Sequence, residues 1–457
     1  MLAPVSLRAP HQGTAMNNSC VSVEDVPLNG FHRKLTVRSA GGSFVDGYLL
    51  SMIGVVMLQM SSGLGLNSFW EGMVAASALI GIFFGGFVGG WLTNLLGRKL
   101  IFFVGPVIFI ATSLGTFWAE SAVALFVLRL LVGIAVGIEY PVATSMLVEF
   151  LPQRDRGPRL AALALLWFIG AAVAYVLGEV ILRSGATDAW RRALASGAIL
   201  GAWLFLVRLG TPESPRWLIG KQRFAEADAV IKQVYGADFS LANLPEQSKE
   251  QKLPFSSLLC SGYGKRMFFV IVFWTCSIIP VFAVYAFAPK VLAALNVAGD
   301  MGSFSSVIIT LFFVLGCLIA TRLVNRVGRR KMLIYSFLLS GLALLGLGIY
   351  HAGNGPLIVL FFSLYALFIG GAQVLTLVYP NEIFPTEIRA FAVGMGTSFS
   401  RIGAAAGTYL VPVSLNSLGV EQTMYAATVI TFVGLLVSWW MAPETSSLNL
   451  QEAAALN

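Results

Sequence analysis

Four ionisable side chains stand inside long apolar stretches of this sequence. Asp46 interrupts GGSFVDGYLLSMIGVVMLQM, Arg129 opens RLLVG, Glu139 lies in VGIEYPVATS, and Arg401 lies in GTSFSRIGAAAG. A charge at the centre of a bilayer costs at least about 2.5–3.5 kcal/mol on insertion scales, so each needs a role that offsets the cost. A carboxylate there can take up and release a proton. An arginine keeps its proton and offers a planar fork that matches a carboxylate. Arg401 is therefore expected to bind an anionic group; the structural alternative is pairing with a carboxylate of its own half. The three histidines, His11, His32 and His351, fall outside the apolar stretches. No nucleophile with a base and no metal cluster is legible, so the chain is not read as an enzyme. It carries no ATP-binding P-loop and is expected to need no cofactor, with a gradient as the driving force.

The elements that must position these charges are membrane helices. The chain has 457 residues, of which 57% are hydrophobic and 11% charged, and its mean hydropathy is +0.80. Soluble domains carry about 25% charged residues. Twelve stretches reach the roughly 20 apolar residues that cross a bilayer. The first six are 36–60, 69–92, 100–119, 122–148, 158–182 and 190–208. The second six are 267–291, 302–323, 332–350, 356–379, 390–415 and 421–441. No two-residue alternation appears, so the expectation is an all-α membrane protein and not a β-barrel. Cys20, Cys260, Cys276 and Cys317 have no metal-like spacing and read as free thiols.

Lysine and arginine set the orientation. Arg98, Lys99, Arg154, Arg156, Arg159, Arg326, Arg329, Arg330, Lys331 and Arg389 fall on one side, and 209–266 adds Arg216, Lys221, Arg223, Lys232, Lys265 and Arg266 among others. The other side has Arg183, Arg191, Arg192 and Lys290. Both termini are thus expected in the cytoplasm. The net charge of +8 reflects this topology, not a nucleic-acid partner. Residues 1–30 lack the apolar core of a cleavable signal, so the first helix is expected to direct insertion.

Depth counting then relates the charges. Span 1 rises while span 4 descends. Asp46 is about ten residues from the start of its span and Glu139 about ten from the end of its own, at similar heights for 1.5 Å per residue. Two adjacent carboxylates cannot both ionise cheaply, so one of them would keep a proton near neutral pH. Alternatively Asp46 sits a turn higher and pairs with Arg129, or it is merely capped or water-bound. Pro141 frees a backbone carbonyl near Glu139, which favours water or ligand there.

Three motifs recur at nearly one offset. NLLGRK (94–99) returns as NRVGRR (325–330), EFLPQRDR (149–156) as EIFPTEIR (382–389), and PES (212–214) as PET (443–445). Three matches in register indicate a duplicated six-helix unit, with a pathway between like halves that rock against each other. The organisation read from this is a cytoplasmic tail (1–35), an N-terminal bundle (36–208), a cytoplasmic linker with short helices (209–266), a C-terminal bundle (267–441) and a second tail (442–457).

This combination of spans, G-R-[KR] loops, E-x-x-P-x-x-x-R after spans 4 and 10, PESPRWL after span 6 and PET after span 12 resembles the major facilitator superfamily. The pattern is similar to its sugar-porter and metabolite:proton symporter branches and covers nearly the whole chain. The resemblance implies that spans 1, 4, 7 and 10 line a central cavity. It implies a cytoplasmic gate of Asn94, Arg98, Glu149, Arg156 and Glu213 with Asn325, Arg329, Glu382, Arg389 and Glu444, paired when the halves close there. Asn94 stands where the family usually carries Asp, and Asn325 fills the matching place. Arg129, in the family's Arg-x-x-x-Gly motif, is implied in proton coupling, with helix packing through backbone carbonyls as the alternative. The S-x-S-R-x-G run around Arg401 is similar to that of organic-ion transporters.

The departures bear on substrate. Sugar porters present Gln residues in spans 5 and 7 and a Trp late in span 10, whereas here spans 5 and 7 lack Gln, and span 10 has Gln373 but no Trp. The sugar-porter acid follows Gly-Tyr in span 1, the place of Leu49 here, and Asp46 precedes Gly47-Tyr48 instead. A pocket of Trp167, Trp274, Phe282, Tyr285, Tyr140 and Gln373 suits a flatter, less hydroxylated molecule than a polyol. The expected function is a secondary active transporter taking up a small organic acid or related metabolite with a proton. It is expected to act as a monomer in a bacterial inner membrane, with the bilayer, protons and a small-molecule substrate as its partners. Sugar or polyol transport and drug or metabolite export are the alternatives; a non-transporting sensor would need a longer appended domain.

Overall fold

The structure, a computed structural model, describes Val23 and residues 26–243, 263–295, 300–350, 355–384 and 386–445. The outer parts of both tails and linker residues 244–262 lie outside the described residues. The side chains of Asn94, Arg156, Asn325 and Arg389 also lie outside what is described.

The first half comprises α1 (Gly30–Leu64), α2 (Ser68–Leu96), α3 (Arg98–Gly115), α4 (Ala122–Phe150), α5 (Gln153–Leu182), and α6 (Ala189–Ala195) followed by α7 (Gly197–Arg208). Two short helices follow, α8 (Pro215–Gly220) and α9 (Phe224–Tyr235). The second half comprises α10 (Gly264–Ala294), α11 (Asp300–Val327), α12 (Arg329–Ile349), α13 (Gly355–Ile383), α14 (Thr386–Ser417) and α15 (Gly419–Met441). Among the described residues, ten helices are long and apolar enough to cross a membrane. The other two passages are the α6–α7 pair, interrupted only at Ser196, and α14, which carries Arg401. The molecule is thus an all-α membrane protein of twelve passages in two like halves.

Helix ends follow local chemistry. Asn29 caps α1 by accepting from the His32 amide, and Gly65 ends α1 in the left-handed region. Asn67 and Ser121 cap α2 and α4 in the same way. The duplicated motifs have become duplicated turns. Gly97 (φ 100°) and Gly328 (φ 89°) each link two helices at positive φ, where a side chain would be strained. A Cβ at Gly97 would strike the Glu213 carboxylate, and one at Gly328 would strike that of Glu444.

Inside each half, small residues let helices touch backbone to backbone, which drives helix association in lipid. Gly47 of α1 lies against the Trp167 carbonyl of α5, and Gly170 of α5 lies against that of Phe44. Helix α9 buries Ala227, Ile231 and Val234. It is tied to the start of α1 by the Asn29 Nδ2 bond to the Val234 carbonyl (2.7 Å), and to the end of α4 by Tyr235 Oη donating to the Phe150 carbonyl (2.7 Å). That side of the bundle is called the linker end below.

Candidate functional site at the interface of the halves

At the end opposite the linker the two halves are joined. Lys290 of α10 pairs with Glu71 of α2, and Ser61 Oγ donates to the same carboxylate at 2.5 Å. Asn416 of α14 donates to Ser68 of α2. Tyr175 Oη donates to the Tyr285 carbonyl (2.8 Å), bringing α5 onto α10, and Gly54 of α1 abuts that same carbonyl. Beside these ties lies a chamber of about 160 Å³ lined by Val55, Gln59, Tyr175, Glu179, Pro289 and Ser306 among others.

The linker end is organised differently. Arg98 pairs with Glu149 at 3.2 Å, Ser214 Oγ donates to Glu149, and Glu213 accepts the Arg98 and Lys99 amides at 2.9 and 3.1 Å. The second half repeats this. Arg329 pairs with Glu382 at 3.0 Å, Thr445 Oγ1 donates to Glu382 at 2.5 Å, and Glu444 accepts the Arg329 and Arg330 amides at 2.9 and 3.2 Å. A carboxylate on the first amides of a helix is favoured by the helix dipole. Pairs between the halves are expected only when the halves close at this end. The pairs described here each lie within one half, so these networks brace α3 and α12 against the segments that follow α7 and α15.

Between the two ends the aromatic residues converge from both halves. Trp167 of α5 meets Phe282 (ring centroids 5.8 Å) and Tyr285 (5.6 Å) of α10, edge to face. The Arg401 guanidinium of α14 lies 5.3 Å from the Phe282 ring, and Tyr140 of α4 bears on it electrostatically. Arg401 Nε and Nη1 are buried with no hydrogen-bond partner among the described residues. Tyr140, by contrast, is 39% exposed. Two of the expected pocket residues are otherwise engaged. Trp274 is buried against Gly396 within the second half, and Gln373 donates Nε2 to the Ser277 carbonyl at 3.0 Å, tying α13 to α10.

The acidic pair on α1 and α4 has a third member. Asp46 is 3% exposed and its Oδ1 has no hydrogen-bond partner among the described residues. The charges that bear on it are Glu139 and Arg208. Arg208, the last residue of α7, grips Glu139 with both arms of its fork: Nη1 reaches Oε2 at 2.9 Å and Nη2 reaches Oε1. Nη1 also donates to the Phe102 carbonyl (2.5 Å), and the guanidinium lies 3.6 Å over the Phe102 ring. Arg208 was missed in the sequence because it closes the predicted span 190–208 and reads as a boundary charge. Its only signal is a basic residue inside the apolar run that precedes PES.

Arg129 is not placed on Asp46. Its Nη1 donates to the Leu49 carbonyl (2.6 Å) and its Nη2 to that of Leu50 (3.5 Å), in a site 4% exposed. It holds the backbone of α1 one turn beyond the acid.

Two like six-passage halves, closed on each other at one end, with a buried cluster of charges inside the first, have the build of a major facilitator membrane transporter. The sequence profile of the sugar (and other) transporter family matches residues 29–456, and the chain belongs to that family. It is 36% identical over 432 residues to the putative metabolite transport protein YaaU of Escherichia coli K12, covering 94% of this chain and 96% of that one. It is 34% identical over 438 residues to the inner membrane metabolite transport protein YgcS of the same organism, covering 96% and 97%. Among solved structures, the partially occluded, inward-open xylose transporter XylE of E. coli superposes with a TM-score of 0.80 at 20% identity, covering 92% of this chain and all of that one.

Proposed function

We propose that the protein is a proton-coupled secondary transporter that takes up a small organic acid or related metabolite by alternating access. The observation that carries the anionic substrate is Arg401: a half-buried arginine beside the Phe282 ring, whose buried Nε and Nη1 have no partner among the described residues. A guanidinium left unsatisfied in a membrane interior is costly, and a substrate carboxylate is the group whose geometry completes it. Trp167, Phe282 and Tyr285 offer apolar faces to the rest of the molecule, and Tyr140 a partly exposed phenol. Asp46, with Glu139 beside it, is the proton site in this reading; Arg129 acts on it by fixing α1.

The linker end is the cytoplasmic one, where the basic loops and both termini lie. The ties between Lys290 and Glu71 and between Tyr175 and Tyr285 close the outer side, so the described state is open or opening toward the cytoplasm. The halves move as units 36–208 and 267–441 joined by 209–266, in a monomer that resides in the inner membrane of a bacterium.

Sugar uptake is the second reading. It is supported by relatives such as the arabinose-proton symporter of Bacillus subtilis, 26% identical over 461 residues. The test is purified protein in liposomes under an inward proton gradient, offered aromatic acids, aliphatic acids and sugars. Accumulation of acids and not sugars is expected; accumulation of sugars alone would overturn the role given to Arg401.

A further inference from the structure

Two carboxylates at the proton site leave open which one carries the proton. We infer that Arg208 is a positioning residue that holds Glu139 as a standing anion, leaving Asp46 as the carboxylate that takes up and releases the transported proton. This rests on the proton-coupled reading above.

The geometry divides the two acids. Both oxygens of Glu139 are taken by the Arg208 fork, in a site where Glu139 is 1% exposed and Arg208 0%. The space is closely fitted to the pair. A Cβ on Gly42 of α1 would strike Glu139 Oε1 and approach Arg208 Nη2, and one on Gly105 of α3 would come within 2.8 Å of Glu139 Oε2. Arg208 is itself anchored on α3 by the Phe102 carbonyl and ring, and it lies 3.4 Å from the Arg38 carbonyl of α1. Protonating Glu139 would break a bidentate, charge-assisted pair and strand a buried guanidinium, the costly way to dissolve such a pair.

Asp46 has no such tie. Its Oδ1 is buried and unpartnered. The helices packed around it present Glu139 from α4, Arg208 from α7, and from α5 the Trp167 backbone at Gly47. Arg129 of α4 is committed to the Leu49 and Leu50 carbonyls. With Asp46 ionised the three-residue cluster carries one net negative charge; with Asp46 protonated it is neutral. The step is simple: the Asp46 carboxylate accepts a proton from water that reaches it from one side, forming an O–H bond, and returns it to water on the other side. Only the neutral cluster is suited to being sealed from both aqueous phases, because burying an uncompensated charge is the dominant penalty in a membrane.

The experiment is infrared difference spectroscopy of the full chain in liposomes, titrated with pH, reading the carbonyl stretch of protonated carboxyl groups. It needs no substrate. Beyond the band of the exposed carboxyl groups, wild type is expected to give one further titrating carboxyl band, which D46N removes. R208Q should add a second band, which R208Q/E139Q removes, while R208K keeps the single band. E139Q is nearly isosteric and serves if R208Q does not fold. It frees Arg208 to pair with Asp46, so the band is lost at neutral pH and returns in E139Q/R208Q. R208Q with one unchanged band, or E139Q with the wild-type band at the same pH, overturns the assignment to Arg208. A wild-type band that survives D46N instead overturns the proton role of Asp46.

Discussion

Glu71 on α2 and Lys290 on α10 form an ion pair that bridges the two halves at the end opposite the linker, with their side chains only 7% and 19% exposed. Any opening of that end must separate them. Ser61 accepts part of the burden by donating to Glu71, so the carboxylate keeps a partner when lysine leaves. The pair is therefore suited to a latch that biases which side is open. Its contribution should fall below the roughly 3–5 kcal/mol lost when a fully buried pair is broken, because Lys290 retains some contact with solvent.

Removing the latch should open that end. K290M and E71Q are each expected to raise thiol labelling of a Q59C reporter, at the rim of the chamber, severalfold in liposomes. The exchanged pair E71K/K290E should return labelling toward the parent level. Equal labelling in all four proteins would show that the ion pair does not hold the halves.

Proton coupling has its own signature. D46N should abolish gradient-driven accumulation while leaving substrate exchange across the membrane intact, since exchange needs no net proton movement. Undiminished accumulation in D46N would sink the role given to Asp46.

At Arg401 the shape of the charge matters as well as its sign. R401K preserves the charge but loses the planar fork that pairs with a carboxylate. Uptake of an organic acid at low substrate concentration should fall by about tenfold or more in R401K, the loss of roughly one charge-assisted hydrogen bond. Parent-level uptake in R401K would count against carboxylate recognition there.

For Arg129 the expected effect is on stability. Its hydrogen bonds go to the Leu49 and Leu50 carbonyls, and bonds from a charged donor contribute about 1.5–3 kcal/mol each. R129M should lower the unfolding temperature in detergent by several degrees, and R129K, which keeps a charged donor without the fork, by less. A parent-like melting curve for R129M with altered pH dependence of uptake would instead assign it to coupling.

Much of the fold was legible because a bilayer admits few solutions. Apolar runs of bilayer length must be helices whose backbone bonds close internally, and the recurrence of GRK, E-x-x-P and PES marks where each half turns. Height was legible too, since a fixed rise per residue brought Asp46 and Glu139 to one level. What counting cannot supply is the rotation of each helix about its axis. Trp274 stands in a helix expected to line the cavity, yet faces Gly396 of its own half. Gln373 faces the Ser277 carbonyl, and Arg129 points its fork at a backbone instead of an acid.

By itself, then, the sequence determined the twelve passages, their duplication and which depths carry charge, because hydropathy and spacing are one-dimensional properties. The tertiary structure decided the partners. It brought Arg208 from the end of α7, 69 residues along the chain from Glu139, into the same buried site, and it set Glu71 against Lys290, 219 residues away. Such pairs depend on how helices pack and turn toward each other, where small residues such as Gly42 and Gly105 leave room for a fork and a carboxylate.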